Sequence, residues 1–101
     1  MKTIYKYKLS AETEQLIKVP VNAMALSVIN QENNLMVYLM VESEEERMIS
    51  RAVLIYGTGH PIKTIDHTDY LYGYKFLGTV PMYDASLIWH VWISNDQFHW
   101  E

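Results

Sequence analysis

The residues best suited to chemistry are four consecutive ones, Gly57, Thr58, Gly59 and His60, which follow a strongly apolar stretch of the chain. Two glycines around a threonine allow backbone N–H groups to converge on an anion, and a histidine adds a donor or acceptor near neutral pH. The loop is not of the Walker type, because Ile62 rather than a glycine precedes Lys63 and Thr64 and no helix is predicted to begin there. The pattern fits either a loop that contacts an anionic ligand or partner, or a tight strand exit with a bulge.

His90 is a second candidate, and it lies in a short apolar stretch that also carries two tryptophans. It fits either a general base or a histidine satisfied in the core or in an interface. The four histidines are spread from residue 60 to residue 99 without i, i+2 or i, i+4 pairs, and the chain has no cysteine. We therefore expect no metal site and no cofactor. No Gly-x-Ser-x-Gly elbow occurs either, so the sequence predicts a protein that is not an enzyme.

Arg51 lies in the middle of a predicted strand, with Ile49 and Val53 as its neighbours on the same face. A guanidinium on an apolar face is costly unless it meets a carboxylate or an anionic ligand. Two interpretations follow: an ion pair with an acidic side chain on an adjacent strand, or a clamp for phosphate or carboxylate in a pocket near Tyr38 and Tyr56.

Four aromatic residues alternate along the chain at Tyr70, Tyr72, Tyr74 and Phe76, so a strand would place them on one face. Such a stripe is either structural or a surface that binds protein, because tyrosine is enriched at the energetic centres of interfaces. Eight basic residues against 12 acidic ones give a net charge of −4. That sign argues against nucleic acid as the partner.

The elements that must position these residues are strands, because the dominant hydrophobic period is two. Strands are predicted over residues 3–8, 15–19, 24–31, 35–41, 47–56, 70–79 and 87–93. The predicted fold is all-β: a small sandwich or barrel of about seven short, mainly antiparallel strands with little helix. Residues 1–101 form one domain in this interpretation, with a docked tail over residues 94–101.

The connections carry turn signals of different strength. Asn33 and Asn34 are predicted to adopt positive φ in a turn over residues 31–34. The acidic residues 42–46 read as an exposed hairpin tip, residues 62–69 as a loop and residues 81–85 as a turn.

The stretch over residues 35–41 is apolar on both faces, with Met36, Tyr38 and Met40 on one side. A domain of 101 residues has difficulty hiding both faces, so we expect a homo-oligomer, a dimer or higher. The alternative is that loops and the aromatic tail cover this face. No apolar run approaches the roughly 20 residues that span a bilayer, and no signal segment begins the chain, so we expect no membrane contact.

Five strings in order along the chain resemble a family of small uncharacterised proteins found mostly in bacteriophage genomes. They occur at residues 2–7, 17–20, 57–62, 78–79 and 89–91. The N-terminal KTIYKY string and the GTGHP string are the most specific, and the resemblance spans residues 2 to 93. The tyrosine-rich residues 66–76 and the tail after Ile93 depart from the family pattern. The resemblance implies a phage source and the cytoplasm of the infected bacterial host as the location.

By analogy with other small phage proteins, we expect a non-catalytic binding protein that inhibits or sequesters a host component. Through this binding it would counteract a bacterial antiviral defence. The partner is a host protein in the first interpretation. In the alternative it is a small anionic signalling nucleotide held in a pocket, and a small hydrolase or a structural phage protein is a further alternative. The candidate binding residues are Arg51, Tyr56, Gly57, Thr58, Gly59, His60, Tyr72, Tyr74 and His90.

Overall fold

The computed structural model describes residues 1–62, 64–65, 68–69, 71 and 73–95, and it confirms the all-β prediction. Seven of the strands have seven to ten residues, and two have only two. In chain order the strands are β1 (Lys2–Lys8), β2 (Glu14–Pro20), β3 (Met24–Gln31), β4 (Asn34–Glu42), β5 (Met48–Gly57), β6 (Thr64–Ile65), β7 (Thr68–Asp69), β8 (Tyr74–Met82) and β9 (Leu87–Ser94).

The seven longer strands form two antiparallel sheets that pack face to face as a sandwich. The three-stranded sheet has the order β1-β4-β3, and the four-stranded sheet has the order β2-β5-β9-β8. Each sheet turns alternate side chains inward, as the period of two predicts. The core between them is built from buried apolar residues: Leu9, Ile17, Val19, Ala23, Ala25, Val28, Leu35, Val37, Leu39, Val41, Ile49, Val53, Ile55, Val80, Met82, Val91 and Ile93.

Two β-bulges reset which side chains face outward. In β3 the register moves from Ala25 opposite Leu39 to Ser27 opposite Tyr38, which leaves Leu26 as the extra residue. In β8 a second bulge leaves Leu77 as the extra residue. An extra residue inverts the inward and outward alternation beyond it, so each bulge changes which side chains share a face.

The sandwich is tied along the side where β3 and β8 approach each other. The Lys75 ammonium donates a hydrogen bond to the Ala25 carbonyl at 2.8 Å. The Asn30 side-chain amide donates to the carbonyl of Pro81 at 3.1 Å. Pro81 is accommodated because β8 is an edge strand, where a missing N–H leaves no partner unsatisfied.

Several predicted connections need correction. Residues 42–46 are not a hairpin tip: β4 pairs with β1 and β3, whereas β5 pairs with β2 and β9, so this segment crosses from one sheet to the other. The segment predicted as a loop contains β6 and β7, which pair with each other. Pro81 still lies in β8, and the turn follows at residues 83–86.

The β3–β4 turn has positive φ at Glu32 (53°) and Asn33 (63°), whereas Asn34 already begins β4. The prediction that Asn34 adopts positive φ was wrong by one position. Within the described residues, the structure contains no helix long and apolar enough to cross a membrane.

Candidate functional site

The imidazole of His90 is held between two threonine hydroxyls on the outer face of the four-stranded sheet. Its Nε2 lies 2.8 Å from Thr58 Oγ1, and its Nδ1 lies 3.0 Å from Thr79 Oγ1. A neutral imidazole has one N–H and one lone pair, so one threonine donates to the ring and the other accepts from it. Both ring nitrogens therefore have partners, and the ring is fixed from both sides.

Strand register brings these side chains together. In the central strand β9, His90 is opposite Tyr56 of β5 on one side and Thr79 of β8 on the other. Thr58 lies just beyond the end of β5, where its backbone N–H donates to the Ile88 carbonyl at 3.2 Å and continues the ladder. Residues directly opposite in an antiparallel pair share a face, so β8, β9 and the end of β5 place Thr79, His90 and Thr58 next to one another.

An aromatic cluster lies next to His90 on the same face. The Trp92 ring is 4.9 Å from the Phe76 ring, at an interplanar angle of 57°, and 6.0 Å from the Tyr56 ring, in an edge-on arrangement. Both geometries are favourable for aromatic pairs. Tyr56 is buried, whereas Phe76 remains 50% exposed. The cluster therefore presents the Phe76 side chain to solvent, packed against Trp92, which in turn packs against the buried Tyr56.

The bulge at Leu77 makes this face possible. Phe76 is opposite Trp92, and Thr79 is opposite His90. In a regular strand, residues three apart point to opposite faces, but the extra residue restores them to the same face. We call the group formed by Tyr56, Thr58, Phe76, Thr79, His90 and Trp92 the His90 face.

The loop over residues 57–60 borders the His90 face. His60 is exposed, and its backbone N–H donates to the Gly57 carbonyl at 3.0 Å. A Cβ added at Gly57 would lie 2.7 Å from His60 Cε1, so the ring packs directly on the glycine backbone. Gly59 has a φ of +88°, in the region that favours glycine. These contacts explain both glycines as features of a tight strand exit.

The arrangement around His90 differs from that of a nucleophilic hydrolase. The Thr58 hydroxyl is within reach of the ring, as a nucleophile would be. In such enzymes, however, the second ring nitrogen bonds a carboxylate that stabilises the imidazolium as it forms. Here that nitrogen bonds the Thr79 hydroxyl. The geometry fixes a polar ring beside aromatic side chains.

Arg51 is not part of the His90 face, and its guanidinium donates hydrogen bonds to backbone carbonyls. It lies on the inner face of β5, only 4% exposed, and its Nε and Nη2 donate to the Ser94 carbonyl at 2.9 and 2.6 Å. Its Nη1 donates to the Ala23 carbonyl at 2.7 Å. Backbone carbonyls, whose dipoles can accept from a cation, are thus among the partners of this buried guanidinium.

The structure also separates Arg51 from the other predicted site residues. Five residues of β5 lie between Arg51 and Gly57, so the two Cα atoms are about 20 Å apart at the usual rise of a strand. Tyr56 points to the opposite face of the sheet, and Tyr38 lies on the other sheet with its hydroxyl donating to Gln31 Oε1 at 3.2 Å. Arg51 therefore lies apart from the glycine loop, and a clamp formed by Arg51, Tyr38 and Tyr56 together is not what the structure shows.

The remaining predictions divide between described and undescribed residues. Tyr74 lies at the start of β8, opposite Ser94, and is half-buried. Tyr70 and Tyr72 of the predicted stripe lie outside the described residues, as does the tail after Asn95. Among the described residues, no group of three histidine, aspartate or glutamate side chains is placed to hold a metal ion.

Three members of the His90 face were not among the predicted site residues: Phe76, Thr79 and Trp92. Trp92 could have been found, because it is two residues from His90 in a predicted strand and so must share its face. Phe76 was recognised only as part of the aromatic stripe. The placement of Thr79 depends on the bulge, which has no signal in the alternation of the sequence.

Charge at the opposite end of the molecule is concentrated in the crossing segment. Arg47 forms an ion pair with Glu45, with 2.8 Å between Nη2 and Oε1. The hydrogen bonds from Arg47 lower the pKa of Glu45 from 4.5 to about 2. The N-terminal amine lies against Glu42 and Glu44, and the hydrogen bond to Glu42 is the largest of the effects that raise its pKa.

Comparison with known proteins gives a family but no activity. No curated protein and no solved structure was found to be similar to the chain. A family described as a domain of unknown function (DUF7352) matches residues 1–100, which is nearly the whole chain and includes every member of the His90 face. The chain therefore belongs to the DUF7352 family.

Proposed function

We propose that this chain is a non-catalytic binding protein that contacts a host protein through the His90 face. The observation that carries the proposal is the half-exposed Phe76, backed by Trp92, which is in turn packed against the buried Tyr56. Aromatic side chains held in this way lose little conformational entropy on binding. They are also the residue types that dominate binding energy at protein interfaces.

The polar part of the face supports contact rather than catalysis. His90 has both nitrogens engaged by hydroxyls, so a partner that covers the ring leaves no ring nitrogen without a hydrogen bond. Thr58 and Thr79 are exposed and can offer their remaining acceptor capacity to the partner. The face thus has an aromatic centre and a polar border, as interfaces commonly do.

The identity of the partner is inferred from the resemblance of the sequence to phage-encoded proteins. On that basis we propose that the protein acts in the cytoplasm of an infected bacterium, where it inhibits a component of an antiviral defence. Inhibition by binding requires an amount of protein comparable to that of its target, whereas an enzyme works at far lower amounts.

The test uses the immobilised full chain to capture proteins from a bacterial lysate, with quantification by mass spectrometry. Phe76→Ser removes the exposed anchor. Leu16→Ser is a matched control, because Leu16 on β2 is 54% exposed and lies away from the aromatic cluster. We expect a host protein that binds the wild type and the control equally and binds Phe76→Ser on the order of thirtyfold more weakly, as loss of a central aromatic contact predicts.

Two results would contradict the proposal. The first is that no captured protein depends on Phe76 although the variant is folded by circular dichroism. The second is that the chain acts on its target at a molar ratio far below one, which would indicate turnover and return attention to Thr58 and His90.

A second candidate function, sequestration of a small anion, is favoured by a different observation. Arg51 and Lys75 line the same open pocket of about 330 Å³, together with the amide side chains of Asn22 and Asn95. Lys75→Gln leaves Arg51 in place while removing one charge from this pocket. If the chain sequesters a nucleotide, ADP or a dinucleotide raises the melting temperature of the wild type but not that of Lys75→Gln; no rise in the wild type rejects this candidate.

A further inference from the structure

The outer face of the three-stranded sheet combines exposed apolar side chains with a row of lysines. Alternate residues of the edge strand β1 point outward, and three of them are lysines. Register places Met40 and Met24 beside Ile4 in one row, and Ile4 is 56% exposed and Met24 52%. We call this surface the lysine-edged face, and its members are Lys2, Ile4, Lys6, Lys8, Met24, Ile29, Met36, Tyr38 and Met40.

The lysine-edged face is positively charged in a protein whose net charge is −4. It carries three of the six lysines, and among the residues that the structure describes none of these three ammonium groups has a carboxylate within ion-pair distance. The one acidic residue within the three strands is Glu42, at the end of β4, and it is bonded to the N-terminal amine. The face therefore lacks a counter-charge of its own, and a partner that covers it must supply anionic groups.

The composition of this face favours a lipid surface over a folded protein as the anionic partner. Lysine is depleted from protein interfaces, where arginine and aromatic side chains concentrate. At a bilayer, lysines place their ammonium groups among the headgroups while neighbouring apolar side chains enter the boundary with the acyl chains. The Tyr38 hydroxyl, near the centre of the face, already donates to Gln31 Oε1 at 3.2 Å, so it stays hydrogen-bonded when water is displaced.

We propose that the lysine-edged face binds the surface of a bilayer that contains anionic lipids. The lysines contact the headgroup phosphates, and Ile4, Met24 and Ile29 enter the boundary between headgroups and acyl chains. The expectation of no membrane contact rested on the absence of a spanning segment and of a signal segment, and peripheral binding requires neither. The inference is independent of the proposed function, because the His90 face lies on the outer side of the other sheet.

The lysines determine how strongly the face should prefer anionic lipid. Each lysine near an anionic surface strengthens binding roughly fivefold. Lys2 is opposite Glu42, so Lys6 and Lys8 are the two that count fully. They predict binding roughly twenty-fivefold tighter to anionic than to neutral vesicles. This preference should fall with added salt, because the screening length shortens from about 10 Å at 0.1 M to about 3 Å at 1 M.

The test is co-sedimentation of the full chain with vesicles of phosphatidylcholine alone or of equimolar phosphatidylcholine and phosphatidylglycerol. Lys8→Gln removes one charge from the face, and Lys18→Gln removes one from β2 in the other sheet, so the two variants have the same net charge. We expect Lys8→Gln to bind the anionic vesicles roughly fivefold more weakly and Lys18→Gln to bind like the wild type. Ile4→Ser should weaken binding at least roughly tenfold, whereas Leu16→Ser, at a similarly exposed position on β2, should have no effect.

Circular dichroism establishes that each variant is folded, and Met24→Ser replaces Ile4→Ser if the latter does not fold. A wild type that does not bind the anionic vesicles overturns the proposal, and its retention on immobilised polyglutamate would then indicate an acidic protein as the partner. Equal weakening by Lys8→Gln and Lys18→Gln also overturns it, because the charge would then act without regard to position. So does binding that Ile4→Ser and Met24→Ser leave unchanged, since no apolar side chain would then enter the bilayer.

Discussion

Arg51 is the residue whose replacement best tests how the two sheets are joined. Its guanidinium bonds the Ser94 carbonyl at the end of β9 and the Ala23 carbonyl just before β3, so one side chain links both sheets. Arg51→Met keeps a long side chain of similar volume but removes the charge and every donor. Ser94 and Ala23 then lose charged donors in a buried environment.

The cost is estimated from these two acceptors rather than from the number of bonds, because two of the bonds share the Ser94 oxygen. A hydrogen bond to a charged group contributes about 1.5–3 kcal/mol, so the two acceptors predict a loss of about 3–6 kcal/mol. That is a large share of the 5–15 kcal/mol by which domains of this kind are typically stable. Arg51→Lys retains one cationic donor group and should lose less.

Urea unfolding monitored by tryptophan fluorescence measures this loss. With a slope of about 1.5 kcal/mol per molar urea, the midpoint of Arg51→Met should fall by about 2–4 M. Arg47→Met is the control: this exposed arginine pairs with Glu45, and because solvent screens such a pair, its loss should leave the urea midpoint nearly unchanged. A loss below about 1 kcal/mol at Arg51 would refute the role as a tie between sheets and favour a role in ligand binding.

Three further predictions concern local features. Because Glu45 has a lowered pKa, its pairing with Arg47 contributes stability above pH 4.5 that is lost as the pH falls toward 2. Arg47→Ala should raise the pKa of Glu45, measured by NMR, back toward 4.5. An unchanged pKa would contradict the pairing. Ala85→Gly should stabilise the fold by about 1 kcal/mol, because Ala85 has a φ of 66°, and calorimetry should show a melting temperature about 4–8 °C higher. A lower melting temperature would refute that strain. Gly57→Ala should displace the His60 ring and so shift the NMR signals of His60. The free energy of unfolding should change by less than about 1 kcal/mol, because the flexible His60 side chain can move away. Unchanged His60 signals would be inconsistent with the contact.

The sequence predicted strands more successfully than it predicted their partners. Alternation located most of the long strands, because side chains on the two faces of a strand meet different environments, and β4 was located as a short run that is apolar on both faces. The segment over residues 42–46 shows the limit. Its acidic residues marked an exposed connection, but exposure does not distinguish a hairpin from a crossing between sheets. Pairing depends on tertiary packing that no local pattern contains.

The candidate site, too, could be predicted only in part from the sequence. Tyr56, Thr58 and His90 were predicted and lie together, because each belongs to a strand or loop with a clear signal. Thr79 joined them only through the extra residue in β8, and a bulge cannot be located by counting alternate positions. For Arg51, the cost of burial was foreseen, but its carbonyl partners come from segments distant in sequence.

The central position of β5 in its sheet has a consequence for synthesis of the protein. β5 pairs with β2, which precedes it, and with β9, which begins only at Leu87. As the chain emerges during translation, the β9 side of β5 therefore remains an open edge with Val53, Leu54 and Ile55 exposed to pairing with other chains. Strand pairing between distant segments is also slow. Nascent or truncated chains that lack β9 should consequently be the main source of aggregation, whereas the finished protein closes this edge with its own last strand.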